Sequence, residues 1–214
     1  MGLEKIAAKS FVFAFADLLG PAYRIENEGL DKVVKGEPAV FVIKHQHMMD
    51  FLVGAYGFRR ILKNKATVPV KESLFRNGFV AEVLNELGAV SMKRPQDGGY
   101  NEHTRIRWAR QFIELMKSNG WYAYCPEATR TPGAVGDFSE EYIHPVLIGA
   151  KHGANIYVAG IESTPENRSP WIPFLTKKKI RCEHYDAKGK AIAQVMSEIK
   201  QKMAELSGLE KKLY

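Results

Sequence analysis

Ala39-Val40-Phe41-Val42-Ile43-Lys44-His45-Gln46-His47-Met48-Met49-Asp50-Phe51-Leu52-Val53 changes its periodicity part-way along. Ala39 to Lys44 is apolar and β-prone, the pattern of a buried strand. His45 follows it directly. Asp50 then precedes Phe51-Leu52-Val53, the opening of a helical pattern, and stands where an N-cap would. A histidine on a strand-to-helix loop, with a carboxylate five positions on, can bring imidazole and carboxylate side by side. Such a pair makes a general base. The carboxylate fixes the imidazole tautomer and stabilises the imidazolium that forms on proton abstraction. Taken alone, His45 reads as an ordinary polar loop residue and Asp50 as a helix cap. The other strand ends give the pair its weight.

Ala66 to Val70 reads as a strand ending at Lys71-Glu72. Ala89 to Lys93 ends at Arg94-Pro95, and Trp121 to Cys125 at Pro126-Glu127. Helical patterns lie between them. Phe51, Leu52, Ala55, Phe58, Ile61 and Leu62 recur at helical spacing within Asp50 to Lys63, and Phe79 to Leu87 continues the alternation. Ile106, Ala109, Phe112, Ile113 and Met116 mark a stripe in Asn101 to Ser118, closed by Asn119-Gly120. Strands alternating with helices predict an α/β fold: a single domain with a mostly parallel mixed sheet flanked by helices. In such sheets ligands bind along the edge shared by the carboxyl ends of the strands. His45, Lys71, Arg94 and Glu127 are therefore expected to face one crevice.

The chain has 214 residues, enough for one domain with a sizeable core. Tyr23 to Glu28 predicts a first strand, Asn155 to Ile161 and Lys178 to His184 two later ones. Glu140 to His152 reads as a helix, with Pro145 complicating its first turns. Lys190 to Leu206 carries an amphipathic stripe of Ile192, Val195, Met196, Ile199, Met203 and Leu206. Two cysteines, Cys125 and Cys182, give neither a disulfide framework nor metal-ligand spacing, which points to a reducing, cytoplasmic compartment. A net charge of +7 suits anionic partners. With no nucleic-acid motif and no basic-aromatic repeat, nucleic acid is not expected among them. Lys177-Lys178-Lys179 with Arg181 is the densest basic cluster, read as a solvated strand edge or a lipid-headgroup contact.

No segment reaches the roughly 20 apolar residues that span a bilayer. Residues 1–24 predict an N-terminal apolar helix containing Phe11, Val12, Phe13, Phe15, Leu18 and Leu19, which either packs on the sheet or lies in a membrane interface. Residues 25–214 form the remaining domain. Its crevice would hold a base (His45 with Asp50), cations (Lys71, Arg94) and the loop Cys125-Pro126-Glu127-Ala128-Thr129-Arg130-Thr131, in which Arg130 adds a third cation. Arginines at such an edge suit bidentate phosphate binding. A base beside phosphate-binding groups, with no Ser or Cys obviously paired to it, suggests activation of a hydroxyl on the substrate and transfer of a group to it.

These pieces resemble the glycerolipid acyltransferase family, whose best known members are the 1-acylglycerol-3-phosphate acyltransferases. The family's first block is a His, four residues and an Asp, often with Asn-His-Gln-Ser leading to the Asp. Lys44-His45-Gln46-His47-Met48-Met49-Asp50 matches at the His, Gln and Asp. Gly88-Ala89-Val90-Ser91-Met92-Lys93-Arg94 fits the second block, Gly to Arg six positions later. Cys125-Pro126-Glu127-Ala128-Thr129-Arg130-Thr131 meets the third, Phe-Pro-Glu-Gly-Thr-Arg-Ser. Val68 to Phe75 resembles the family's lysine-containing run. Order and spacing agree over about residues 25 to 165. There are departures: Ser91-Met92 stands for Phe-Ile, Ala128 for Gly, and Asn155-Ile156-Tyr157-Val158-Ala159 lacks the proline of the fourth block. They fall in the acceptor-binding blocks and leave His45 and Asp50 untouched.

The resemblance implies a glycerol-3-phosphate acyltransferase-like fold and a catalytic pair, His45 and Asp50. It implies substrate binding by Lys71, Arg94, Glu127, Thr129 and Arg130, with Glu127 either orienting Arg130 or binding an acceptor hydroxyl. The implied partners are an acyl thioester donor (acyl-CoA or acyl-carrier protein), a lysophospholipid or other hydroxyl acceptor, and the inner face of a membrane. No cofactor is implied beyond the thioester co-substrate. A non-catalytic, membrane-associated lipid-binding protein with the same fold is the alternative.

Overall fold

The run at 39–44 does become a buried strand, with every residue but Ile43 withdrawn from solvent. In the computed structural model, which describes residues 7, 10–12, 14, 25–44, 46, 50–64, 66–93, 101–128, 131–163 and 178–209, it is one of seven described strands. They are β1 (Glu26–Glu28), β2 (Ala39–Lys44), β3 (Ala66–Lys71), β4 (Ala89–Met92), β5 (Trp121–Tyr124), β6 (Asn155–Ser163) and β7 (Lys178–His184). One sheet takes the order β1-β7-β6-β2-β5-β3-β4. The block β6-β2-β5-β3-β4 is parallel throughout. β7 runs antiparallel to β6 and parallel to β1, so the sheet is mostly parallel and mixed, as expected.

The described helices are α1 (Asp50–Tyr56), α2 (Gly78–Glu86), α3 (Glu102–Lys117), α4 (His144–Lys151) and α5 (Ile192–Leu206). The Asn77 side chain accepts the Val80 N–H and the Asn101 side chain the Thr104 N–H, capping α2 and α3 at orphan donors of their first turns. Two expected helices differ from the sequence pattern. The helix expected over 50–63 opens after Tyr56 into a π-helical turn at Gly57–Ile61, and this wider turn leaves Phe58 and Leu62 both in the core. The helix expected over 140–152 splits into a 3₁₀ turn at Glu140–Tyr142 and α4. Pro145 has no N–H for a helix interior, so a helix can only begin around it.

Strand alternation sends side chains into two cores. Ala39, Phe41, Trp121, Tyr157, Ile180 and Cys182 pack on the α1 side with Val53, Phe58 and Leu62. Val40, Val42, Tyr122, Tyr124, Ile156 and Val158 pack on the other side with Phe112 and Met116 of α3, Val146 of α4, and Val195, Ile199, Met203 and Leu206 of α5. The predicted stripe of the last helix is thus its buried face. Gly160 allows close packing there: a Cβ at that position would stand 2.7 Å from the Leu206 carbonyl oxygen.

The topology also explains where a site can form. β2 is followed by α1 and then β3 on one side of the sheet, while β5 is followed by α4 and then β6 on the other side of β2. Adjacent strands whose connections leave in opposite directions open a crevice at their carboxyl ends. Lys44 ends one of these strands, and Glu127 lies just past the end of the other.

Candidate active site

Asp50 is the first residue of α1 and is only 1% exposed. Its carboxylate is held at both oxygens. Oδ2 accepts the Gln46 backbone N–H at 2.7 Å, and Oδ1 is 3.1 Å from Lys178 Nζ. The Asp50 of the sequence reading is therefore more than a helix cap. It is an ionic anchor at the start of α1, tied back to the Gln46 N–H and sideways to β7. His45, with which it was paired in the sequence, lies outside the described residues.

A second buried ion pair sits at the end of β2. Lys44 is the one charged residue in β2, and alternation aims it the way of Val40 and Val42, toward the α3–α5 layer. Its Nζ donates to Glu127 Oε1 at 3.0 Å, Glu127 Oε2 at 2.8 Å and the Thr131 carbonyl at 2.9 Å. Both side chains are 0% exposed. Glu127 Oε1 also accepts the Gly136 N–H. Gln46 adds a further tie, its Oε1 accepting the Gly133 N–H at 3.2 Å. Lys44 and Gln46 thus fasten the 131–136 loop, through three of its backbone groups and Glu127, to the end of β2.

The remaining sequence-predicted residues fall as follows. Lys71 ends β3 and is exposed. It lies two strands from β2 at the same edge, about 10 Å by sheet spacing. Glu127 is brought to that edge, with its carboxylate engaged by Lys44 and Gly136 and shut away from solvent. Arg94, Thr129 and Arg130 lie outside the described residues. Next to them, Ala128 has φ 52, a left-handed conformation that costs a Cβ-bearing residue about 1–2 kcal/mol. This is the position where the resembled block has glycine.

Sequence reasoning missed Lys44 and Lys178, and gave Gln46 no role beyond its match to the first block. The cluster at 177–181 had been read as a solvated edge or a headgroup contact. Lys178 is instead 4% exposed and paired with Asp50, and β7 is no edge because β1 covers it. Lys179 and Arg181, on the alternate face, pair with Glu28 and Glu162. A signal was available: a lysine inside an otherwise apolar alternation cannot stay unpaired when buried. Cys182 offers no competing nucleophile, because burial pushes its thiol up to about 12. On the α1 side, an apolar recess is lined by Phe41, Ile43, Gly54, Phe58 and Ile161.

A family model described as Acyltransferase matches residues 24–160. The chain belongs to the acyltransferase family. The acyltransferase match takes in β1 to most of β6, and with them Asp50, Lys71 and Glu127. Among solved structures, the 1-acyl-sn-glycerophosphate (LPA) acyltransferase PlsC from Thermotoga maritima is similar over 100% of this chain and 85% of its own, with a TM-score of 0.66 and 20% sequence identity. At that identity the likeness bears on the fold, and it supports the α/β acyltransferase architecture. None of the curated proteins matches the chain.

Proposed function

We propose that this acyltransferase moves a fatty acyl group from acyl-CoA or acyl-carrier protein to a hydroxyl of a lysophospholipid-like acceptor, with His45 as general base and Asp50 as its orienting partner. The observation that carries the reading is the doubly anchored carboxylate of Asp50 at the carboxyl edge of the sheet. A base needs a partner that does not swing. His45 takes the proton of the acceptor hydroxyl, and the oxygen attacks the thioester carbonyl. Collapse of the tetrahedral species breaks the carbon–sulfur bond, and the thiolate leaves with the electron pair. No acyl-enzyme forms. A backbone N–H near the turn stabilises the oxyanion. Lys71, Arg94 and Arg130, with Thr129, hold the phosphate of the acceptor or of the donor. Glu127 serves the same loop from behind, through Lys44.

The test is thiol release by the purified chain from palmitoyl-CoA, and from palmitoyl-carrier protein, in the presence of a panel of lysophospholipids. The expected result is acceptor-dependent release, with one diacyl product per thiol by mass spectrometry. Lysolipid binding without thiol release from either donor would instead favour the non-catalytic lipid-binding reading.

The acceptor is membrane-borne, and we place the protein at the cytoplasmic face of a membrane. No described helix is long and apolar enough to cross one. Leu74 (51% exposed), Phe79 and Val80 form an exposed apolar group around the start of α2, flanked by exposed Lys71 and Arg76. Phe11, from the described part of residues 1–24, meets Phe79 edge-on at 6.0 Å. Apolar side chains with cations beside them suit an anionic lipid surface, although exposed Glu72 adds one acid to the rim. Replacing Leu74 and Phe79 together by serine is expected to weaken binding to phosphatidylglycerol-containing vesicles about tenfold or more. Unchanged co-sedimentation of that variant would remove this patch as the contact.

A further inference from the structure

We propose that Lys178 is a positioning residue for acyl transfer, one that acts by fixing the carboxylate of Asp50. The inference rests on the reading of Asp50 as the partner of His45. Three observations lead to it. Lys178 is 4% exposed, although it lies in a run of lysines that a solvated edge would leave free. Its Nζ is 3.1 Å from Asp50 Oδ1, a contact spanning 128 residues of sequence. The other carboxylate oxygen is taken at 2.7 Å by the Gln46 N–H, so the two contacts together define the carboxylate plane.

The direction of β7 makes this contact attainable. The site edge holds the carboxyl ends of β2, β3, β4, β5 and β6. β7 is reversed, and Lys178 pairs with Ser163, the last residue of β6. The first residue of β7 therefore reaches the edge that the other strands reach with their last. Alternation then sets Lys178 on the same face as Ile180 and Cys182, the α1 face, where Asp50 begins its helix. Lys179 and Arg181 point the other way and have acids of their own in Glu28 and Glu162.

Stability alone does not account for such a pair. A buried ion pair gives little net stabilisation over well-packed apolar side chains, whereas loss of one partner strands a charge. What the pair does supply is a carboxylate with fixed orientation, as a partner for the base read from the sequence. Orientation of the base is worth a large factor in rate, because a misplacement of about 1 Å can cost about 100-fold.

The experiment compares the parent chain with Lys178→Met, Lys178→Arg, Asp50→Asn and Asp50→Asn/Lys178→Met, using palmitoyl-CoA and lysophosphatidic acid as probes. His45→Ala serves as the control on the underlying reading. Lys178→Met is expected to lower kcat about 10- to 100-fold with both KM values within about twofold of the parent, and Lys178→Arg to recover part of the loss. In the Asp50→Asn background, Lys178→Met is expected to add no further loss, because its effect passes through the carboxylate. An unchanged kcat, a loss confined to KM, or full additivity in the double variant would overturn the proposal. Should Lys178→Met not fold, Lys178→Gln takes its place, since it removes the charge and retains a donor, and the comparison with Asp50→Asn/Lys178→Gln decides. Full activity in His45→Ala would be a different failure. It would dismiss the general-base reading itself, whereas a dead His45→Ala beside an unaffected Lys178→Met would dismiss only the role given to Lys178.

Discussion

Replacing His45 with alanine is expected to lower acyl transfer by about 10²- to 10⁴-fold, the usual contribution of a general base. The loss should appear in kcat, since neither substrate depends on the imidazole for its binding. Stability should change little. The described contacts that hold Gln46 and Asp50 come from other groups: the Gln46 N–H and Lys178 on Asp50, and the Gly133 N–H on Gln46. The informative measurement is therefore paired, with thiol release and thermal unfolding followed on the same preparation. A midpoint near that of the parent with the rate lost supports a chemical role. A rate near that of the parent refutes the assigned base, whatever the midpoint. A low rate accompanied by a much lower midpoint would assign the residue to folding instead.

The fold was legible because its strands announce themselves twice, by an apolar run and by the polar residue that stops it. Ala39 to Lys44, Ala66 to Lys71 and Trp121 to Tyr124 all do so, and all three lie together in the parallel block. The amphipathic stripe of α5 gave its buried face in the same way. Asp50 was legible as well, because a carboxylate opening a helix just after a strand-end histidine is a local pattern. The groups that hold the site together were not legible. Lys44 stood at a strand end and read as the polar stop of an apolar run. Its partner Glu127 read as a carboxylate that orients Arg130 or binds an acceptor hydroxyl. Their meeting depends on the register of β2 against β5, where Val42 faces Tyr124 and Lys44 runs on to the level of the loop that carries Glu127. Register between distant strands is not written in either strand alone. Lys178 was hidden for a related reason. A search of strand ends for site residues assumes that all strands run one way, and β7 does not.

The buried Lys44–Glu127 pair at the end of β2 gives the largest expected effect on stability. Lys44→Met removes an ammonium that donates to both oxygens of Glu127 and to the Thr131 carbonyl. Among the described residues, Glu127 then keeps only the Gly136 N–H for a carboxylate with no exposed surface. Stranding one partner of a buried pair costs about 3–5 kcal/mol. For a chain of this size that corresponds to a fall of about 6–20 °C in the unfolding midpoint. Activity should fall too, because the 131–136 loop loses its tie to the end of β2. The double variant Lys44→Met/Glu127→Gln separates charge from packing. Glutamine still accepts the Gly136 N–H without a net charge, so the double variant should recover most of the midpoint lost by the single one. Its activity should recover less, since the Thr131 carbonyl remains without the ammonium that fastened the loop. Thermal unfolding of the two single variants and the double one completes the cycle. A Lys44→Met chain as stable as the parent, or a double variant whose loss equals the sum of the two single losses, would show that the pair is not coupled. The 131–136 loop must then be held in place by Gln46 and the backbone.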